Sequence, residues 1–150
     1  HLDLLAQPVG QGLAFLHHHK QNHACVACPR LADDDAFKVG ENIATAPGKV
    51  VFRNRMLELI QYTPTTPTVH ATPIVIFPPW INKFYILDLK PANSLIKWAV
   101  DQGYTVFVVS WVNPDAGYRD TSMSDYVEKG YLTAIDTVTE ICGTKKVNAA

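Results

Sequence analysis

The sequence predicts an α/β protein built on a doubly wound sheet. Two strand signals and two helix signals carry that prediction. Ile74 to Phe77 and Thr105 to Val109 are unbroken apolar runs, and a strand that takes apolar side chains at every position is one covered on both faces of a parallel sheet. Residues 93 to 103 lie between them and read as a helix, and residues 122 to 143 read as a longer one. Strands alternating with helices make an open α/β sheet, whose ligands bind beyond the carboxyl ends of the strands.

Taken in order, residues 1 to 35 form an N-terminal segment, partly helical or disordered. It holds a weak helical pattern (Leu4, Leu5, Leu13, Phe15, Leu16), a histidine cluster and the triplet Asp33-Asp34-Asp35. The triplet is either a solvated charge run or the cap of a short helix carrying Phe37 and Val39, since carboxylates satisfy the free N–H groups at a helix start. Residues 36 to 150 form the domain proper. Val50 to Phe52 and Met56 to Tyr62 read as a hairpin about Asn54, a residue that tolerates tight turns. The Pro- and Thr-rich residues 63 to 73 are a loop, and a strand begins at Ile74. In the first helix Asn93 or Ser94 caps, Leu95, Trp98 and Ala99 share a face, and Gly103 ends it. In the second, Ser122 and Asp125 have capping-box spacing. Val127, Tyr131, Ala134, Ile135, Val138, Ile141 and Cys142 form one apolar stripe that stops at Gly143. Lys146 to Ala150 starts a further strand.

Composition narrows the function classes. A chain of 150 residues, 47% hydrophobic and 18% charged with net charge -1, suits one globular domain. Its charges form no basic stripe, so nucleic acid is not an expected partner. No apolar run approaches the roughly 20 residues of a membrane span, and no signal peptide opens the chain, so the expected location is cytoplasmic. Three cysteines without a regular framework fit a reducing compartment. A start at His1 and the lack of a closing signal at Ala150 give the sequence the look of a fragment.

The stretch IFPPWINKFYILDL, residues 76 to 89, is the strongest candidate site, and its apolar residues beyond Phe77 do not read as another strand. Pro78 and Pro79 stop the strand and stiffen its exit, which holds the backbone N–H groups of Trp80 and Ile81 toward a reacting carbonyl. Trp80, Ile81, Phe84, Tyr85, Ile86 and Leu87 are suited to line or cover an apolar pocket. Packing of the same aromatics into a satellite core is the plainer alternative. Asp88 by itself reads more naturally as a cap or ion-pair partner than as a catalytic acid.

Three segments carry a resemblance: FKVGENIATAPGKVVFRNRMLELIQYTPTT (37 to 66), PPWINKFYILDLKPANSLIKWAVDQGYTVFVVSWVNPD (78 to 115) and DYVEKGYLTAID (125 to 136). Together they closely resemble polyhydroxyalkanoate synthases, over residues 35 to 150. The resemblance implies an α/β-hydrolase-like doubly wound sheet, truncated here before the nucleophile elbow, with residues 36 to 150 holding an N-terminal region and the first half of the catalytic domain, and with the family's catalytic Cys, Asp and His outside this chain. It implies an acyltransferase that polymerises (R)-3-hydroxyacyl-CoA into polyester through a Cys acyl-enzyme. No cofactor is expected, no membrane partner, a homodimer as the full-length enzyme, and a place in the cytoplasm and at the polyester granule surface. The backbone N–H of Ile81 maps to one donor of the oxyanion hole. Trp80, Phe84, Tyr85 and Ile86 map to the acyl path, and Asn82, Lys83 and Asp88 to its polar surroundings together with residues 110 to 115. Trp80 stands where similar synthases can carry a smaller residue; an indole there either narrows the acyl path or packs outward.

Rival readings attach to other residues. Cys142 lies in the apolar stripe and reads as core rather than nucleophile. His17, His18, His19, His23, Cys25 and Cys28 are chemically able to hold zinc, but a single CxxC without a second spaced pair fits no standard finger, so no metal is expected. Two further functions stand beside the synthase: a non-catalytic module that binds granules or a synthase, and an esterase of the same fold.

Overall fold

The computed structural model describes residues 36–150 and the backbone of a two-residue strand at Gln7–Pro8. It is a mixed α/β structure. Strand β1 (Gln7–Pro8), β2 (Gly48–Arg53), β3 (Leu57–Tyr62), β4 (Ile74–Ile76), β7 (Val106–Trp111) and β8 (Asn148–Ala149) form one sheet in the order β1-β2-β3-β7-β4-β8. The first four of these neighbours pair antiparallel, and β7, β4 and β8 run parallel. A separate short hairpin joins β5 (Asp88–Lys90) to β6 (Asn93–Ser94).

The β2–β3 hairpin forms about Asn54 as expected. The Asn54 side-chain oxygen accepts the N–H groups of Met56 at 2.7 Å and Leu57 at 3.0 Å, so a side chain replaces the backbone partners that a tight turn lacks. Strand β3 is then buried along nearly its whole length because β7 covers its other edge, from Leu57 opposite Trp111 to Gln61 opposite Phe107.

Alternation within the apolar runs divides the core in two. Val106 and Val108 join Val50, Ile60 and Ile76 on one face, packed against Ile96, Ala99 and Val100 of helix α1 (Leu95–Asp101). Phe107 and Val109 join Leu57, Leu59 and Val75 on the other, packed against Ala134 and Val138 of the C-terminal helix. Helices thus cover both faces, which is why β7 has no polar position between Val106 and Val109. Burying each such Val, Leu or Phe side chain contributes about 1.5–3 kcal/mol.

Four local expectations change. Helix α1 is capped by Ser94, whose Oγ accepts the Lys97 N–H at 2.9 Å, and ends at Gly103 with φ +82. Its buried side chains, however, are Ile96, Ala99 and Val100, while Leu95 and Trp98 are half exposed. The helix is only seven residues long, too short for periodicity to separate one stripe from its neighbour. The second helix begins with the capping box of Ser122 and Asp125, both bonds being present. It runs as α2 (Met123–Asp125), a π-helical turn (Tyr126–Leu132) and α3 (Thr133–Cys142). The wider π turn moves the buried stripe, so Val127 is exposed and Gly130 is buried. Phe37 and Val39 lie on no helix: the N–H groups of Glu41 and Asn42 converge on the Lys38 carbonyl at 3.0 Å, and Gly40 at φ +84 turns the chain. Asp33 to Asp35 lie outside the described residues. Finally, the stretch after β4 does contain a strand, β5, entered from a 3₁₀ turn at Phe84–Leu87.

Candidate functional site

Strand β4 delivers the chain to the carboxyl edge of the parallel strands. There the Phe77 N–H donates to the Ala150 carbonyl at 2.9 Å, and the Ala150 N–H donates to Val75 at 3.0 Å. The end of β8 therefore lies alongside the exit of β4. Pro78 is buried and Pro79 exposed, and with no N–H to pair they end the ladder. The following turn is closed by the Asn82 N–H donating to the Pro79 carbonyl at 2.8 Å. Among the described residues the Ile81 N–H has no hydrogen-bond acceptor, and the Ile81 side chain is 91% exposed.

An aromatic cluster braces this turn. Trp111, at the end of β7, donates from Nε1 to the Pro78 carbonyl at 2.7 Å. Its ring lies 5.3 Å from Tyr131 and 5.7 Å from Tyr126 between centroids, both on the π turn. Trp80 packs on Tyr126 at 4.9 Å, and Phe77 on Tyr131 at 4.7 Å. Such tilted and edge contacts are the favoured geometries of aromatic pairs. Gly130 permits the approach: a Cβ there would lie 2.9 Å from the Trp111 ring.

Seven of the residues expected at the site divide into two groups. Trp80, Ile81, Asn82 and Lys83 stand together, exposed, on the turn beyond β4, and Lys83 Nζ reaches Asn113 Oδ1 at 3.5 Å on the loop after β7. Phe84 and Tyr85 turn inward: Phe84 is buried in the α1-side core, and Tyr85 packs against that core, half-buried. Asp88 has no exposed surface, and its Oδ2 accepts the Ala46 N–H at 2.9 Å. The Trp80 indole is 42% exposed and packs on the Tyr126 ring.

Reasoning from the sequence reached Trp111 only as one of residues 110 to 115, without an individual role, and gave Tyr126, Gly130 and Tyr131 no role at the turn. The available signal was a Trp ending an apolar strand and a Gly inside an apolar helix stripe, each of which reads first as packing.

A polar cleft of about 530 Å³ opens at the same edge, lined by residues that include Asn54, Arg55, Gly117, Asp120, Asp125 and Lys129. Its charged groups are largely paired internally. Arg55 donates to the Gly117 carbonyl at 2.5 Å and lies over the Tyr118 ring, and Lys129 meets Asp125 at 2.5 Å. The hydrogen bond from Lys129, then those from Ser122, hold the Asp125 carboxyl well below the usual carboxylate range. Cys142 is half-buried against the α3-side core, and burial pushes its thiol pKa up.

No helix of the described residues is long and apolar enough to cross a membrane. Among the described residues no group of three His, Cys, Asp or Glu could hold a metal ion, and the His and Cys tract at residues 17 to 28 lies outside them.

Comparison with known proteins bears on this geometry. The chain is 54% identical to a poly(3-hydroxyalkanoate) polymerase of Methylorubrum extorquens over 121 residues, covering 81% of this chain and 20% of that protein. It is 48% identical over 120 residues to the poly(3-hydroxyalkanoate) polymerase subunit PhaC of Rhizobium meliloti (strain 1021), covering 80% of this chain and 20% of the relative. It is also 48% identical over 116 residues to the polymerase subunit PhaC of Cupriavidus necator, covering 77% and 20% respectively. The chain thus spans about a fifth of the length of these curated relatives. Residues 6–99 match the family described as poly-beta-hydroxybutyrate polymerase (PhaC) N-terminus, and the chain belongs to that family.

Proposed function

We propose that this chain is the N-terminal part of a polyhydroxyalkanoate synthase, including the first half of an α/β-hydrolase-like catalytic domain, and that its turn after β4 supplies one donor of the oxyanion hole. The observation that carries the reading is the Ile81 N–H, which has no acceptor among the described residues and sits on a turn braced at the carboxyl edge of the sheet, beside the end of β8. In a hydrolase-type sheet the second donor belongs to the residue after the nucleophile. The family's nucleophile turn follows the strand corresponding to β8, which would bring the two donors together. In this reading the family's catalytic Cys, Asp and His lie outside these 150 residues.

In this reading a cysteine thiolate attacks the thioester carbonyl of (R)-3-hydroxyacyl-CoA. The carbonyl oxygen becomes an oxyanion, and the Ile81 N–H stabilises it without reorganisation. Collapse expels CoA thiolate and leaves an acyl-enzyme thioester. The hydroxyl of the growing polyester then attacks that thioester, losing its proton to the histidine base, and a second oxyanion collapses to the ester with the enzyme thiolate restored. Trp80 walls the acyl path beside the donor. Asn82 and Lys83 supply polar contacts at its rim. Phe84, Tyr85 and Asp88 serve the path from beneath, by holding the turn on the core. The complete enzyme works as a homodimer in the cytoplasm and at the granule surface.

Supplying the complete protein with (R)-3-hydroxybutyryl-CoA tests the reading. A synthase releases CoA in step with insoluble polyester. CoA release with free 3-hydroxybutyrate would mark an esterase, and neither product would mark a binding module.

A further inference from the structure

We infer that Trp111 is a positioning residue for the oxyanion donor at Ile81, and that the π turn and Gly130 are the means by which the second helix sets it. The inference rests on the assignment of the Ile81 N–H proposed above. Its physical basis is a chain of three contacts. Gly130 lies against the Trp111 ring so closely that an added Cβ would come within 2.9 and 3.0 Å of its outer carbons. Trp111 Nε1 in turn holds the Pro78 carbonyl at 2.7 Å. From Pro78 the chain reaches Ile81 through Pro79, whose φ is fixed by its ring, and through a turn closed by the Asn82 N–H at 2.8 Å.

The stiffness of that last step matters. Prolines leave the segment few ways to absorb a shift at Pro78, so displacement of its carbonyl carries through to the donor. The Pro78 residue is itself buried, and its carbonyl, deprived of the indole N–H, must find another partner by moving. Trp111 is also the ring on which Tyr126 and Tyr131 converge. These contacts come from the π turn Tyr126–Leu132, whose wider winding places Gly130 rather than Val127 toward the sheet. An extra residue in one helical turn is a common device where a helix must present a particular contact at a functional site.

The test uses the complete polymerase and compares Trp111→Phe, which keeps an aromatic ring but removes the donor, with Gly130→Ala, which keeps the donor but pushes the ring. Gly130 does not have a positive φ, and Ala favours helix, so melting of the helix does not account for a loss. Both variants are measured for kcat and KM on (R)-3-hydroxybutyryl-CoA, alone and in an Ile81→Pro background. The near-ultraviolet circular dichroism of each protein reports its packing.

We expect Trp111→Phe to lower kcat by about ten- to a hundredfold, as misplacement of a reacting group by an ångström does, with KM within about twofold. Gly130→Ala should lower kcat in the same direction, by several-fold. In the Ile81→Pro background Trp111→Phe should add nothing beyond about twofold, because both changes act on one donor. If Trp111→Phe does not fold, Gly130→Ala carries the same comparison. Folded variants at both positions with parental kcat, while Ile81→Pro is impaired, would overturn the inference and leave the donor assignment standing. Parental kcat in Ile81→Pro itself would remove the assignment and the inference with it.

Discussion

The Asp88 carboxyl accepts the Ala46 N–H at 2.9 Å from a position with no exposed surface, while the Asp88 carbonyl accepts the Ala44 N–H at 2.8 Å. One residue thereby clasps a strap from a distant part of the chain onto the far end of the candidate turn. The strap needs such a clasp, since Ala44 sits at φ 52, in the left-handed region that non-glycine residues avoid.

Asp88→Ala is expected to destabilise the protein by about 1–3 kcal/mol, because the Ala46 N–H loses its acceptor in a dry setting. Asp88→Asn retains an oxygen in the same place and should cost less. Chemical denaturation of the two variants checks the order. Equal losses would show that the acceptor on Ala46 is not what Asp88 contributes.

Glu58 gives a pH signature. It is 8% exposed, and burial raises its carboxyl pKa from the ordinary value of 4.5 against the opposing pull of Arg53, 2.6 Å away. A carboxyl with a raised folded pKa is held as the acid more tightly in the native than in the unfolded chain. Its contribution to stability is therefore fully present below the unfolded pKa and is lost as pH rises through the folded one. Glu58→Gln should accordingly gain in thermal midpoint relative to the parent as pH rises above the ordinary value of 4.5. No relative gain would mean that the Arg53 pair outweighs burial.

Cys142 has the opposite reactivity to that of a catalytic thiol. Burial raises its pKa above the ordinary value of 9.0, so less thiolate is present at neutral pH than on a free cysteine. In a Cys25→Ser, Cys28→Ser background, alkylation of Cys142 by iodoacetamide should be slow and its rate should rise only at higher pH. Fast labelling near neutrality would contradict its place in the core.

Much of the sheet was legible because its strands are covered on both faces. Runs such as Ile74 to Phe77 and Thr105 to Val109 have no other economical reading, and Asn54, Gly103, Ser122 and Gly143 mark ends by their own backbone chemistry. Helix α1 was located but its face was misread, since seven residues offer less than two full turns. Ile96→Ala should cost about 2–5 kcal/mol as a cavity in the core, whereas Leu95→Ala should stay within about 0.5 kcal/mol; similar unfolding midpoints would reverse the assignment of faces. The π turn left no trace in a pattern read at 3.6 residues per turn, and for that reason Val127 was placed inward and Gly130 passed over. At the candidate site, the proline-broken exit of β4 was legible. Its bracing was not, because the hydrogen bond from Trp111 to Pro78 joins residues 33 apart in sequence.

The most direct test of the account is kcat for CoA release from (R)-3-hydroxybutyryl-CoA by the complete polymerase carrying Ile81→Pro, set beside Ile81→Val. Proline removes the N–H, and the account predicts a loss of about 3 kcal/mol in transition-state stabilisation, roughly a hundredfold or more in rate. Valine keeps the N–H and should remain within about twofold of the parent, since a side chain that is 91% exposed is not the donor. A correctly folded Ile81→Pro enzyme with the parental rate would contradict the claim that this turn holds the oxyanion.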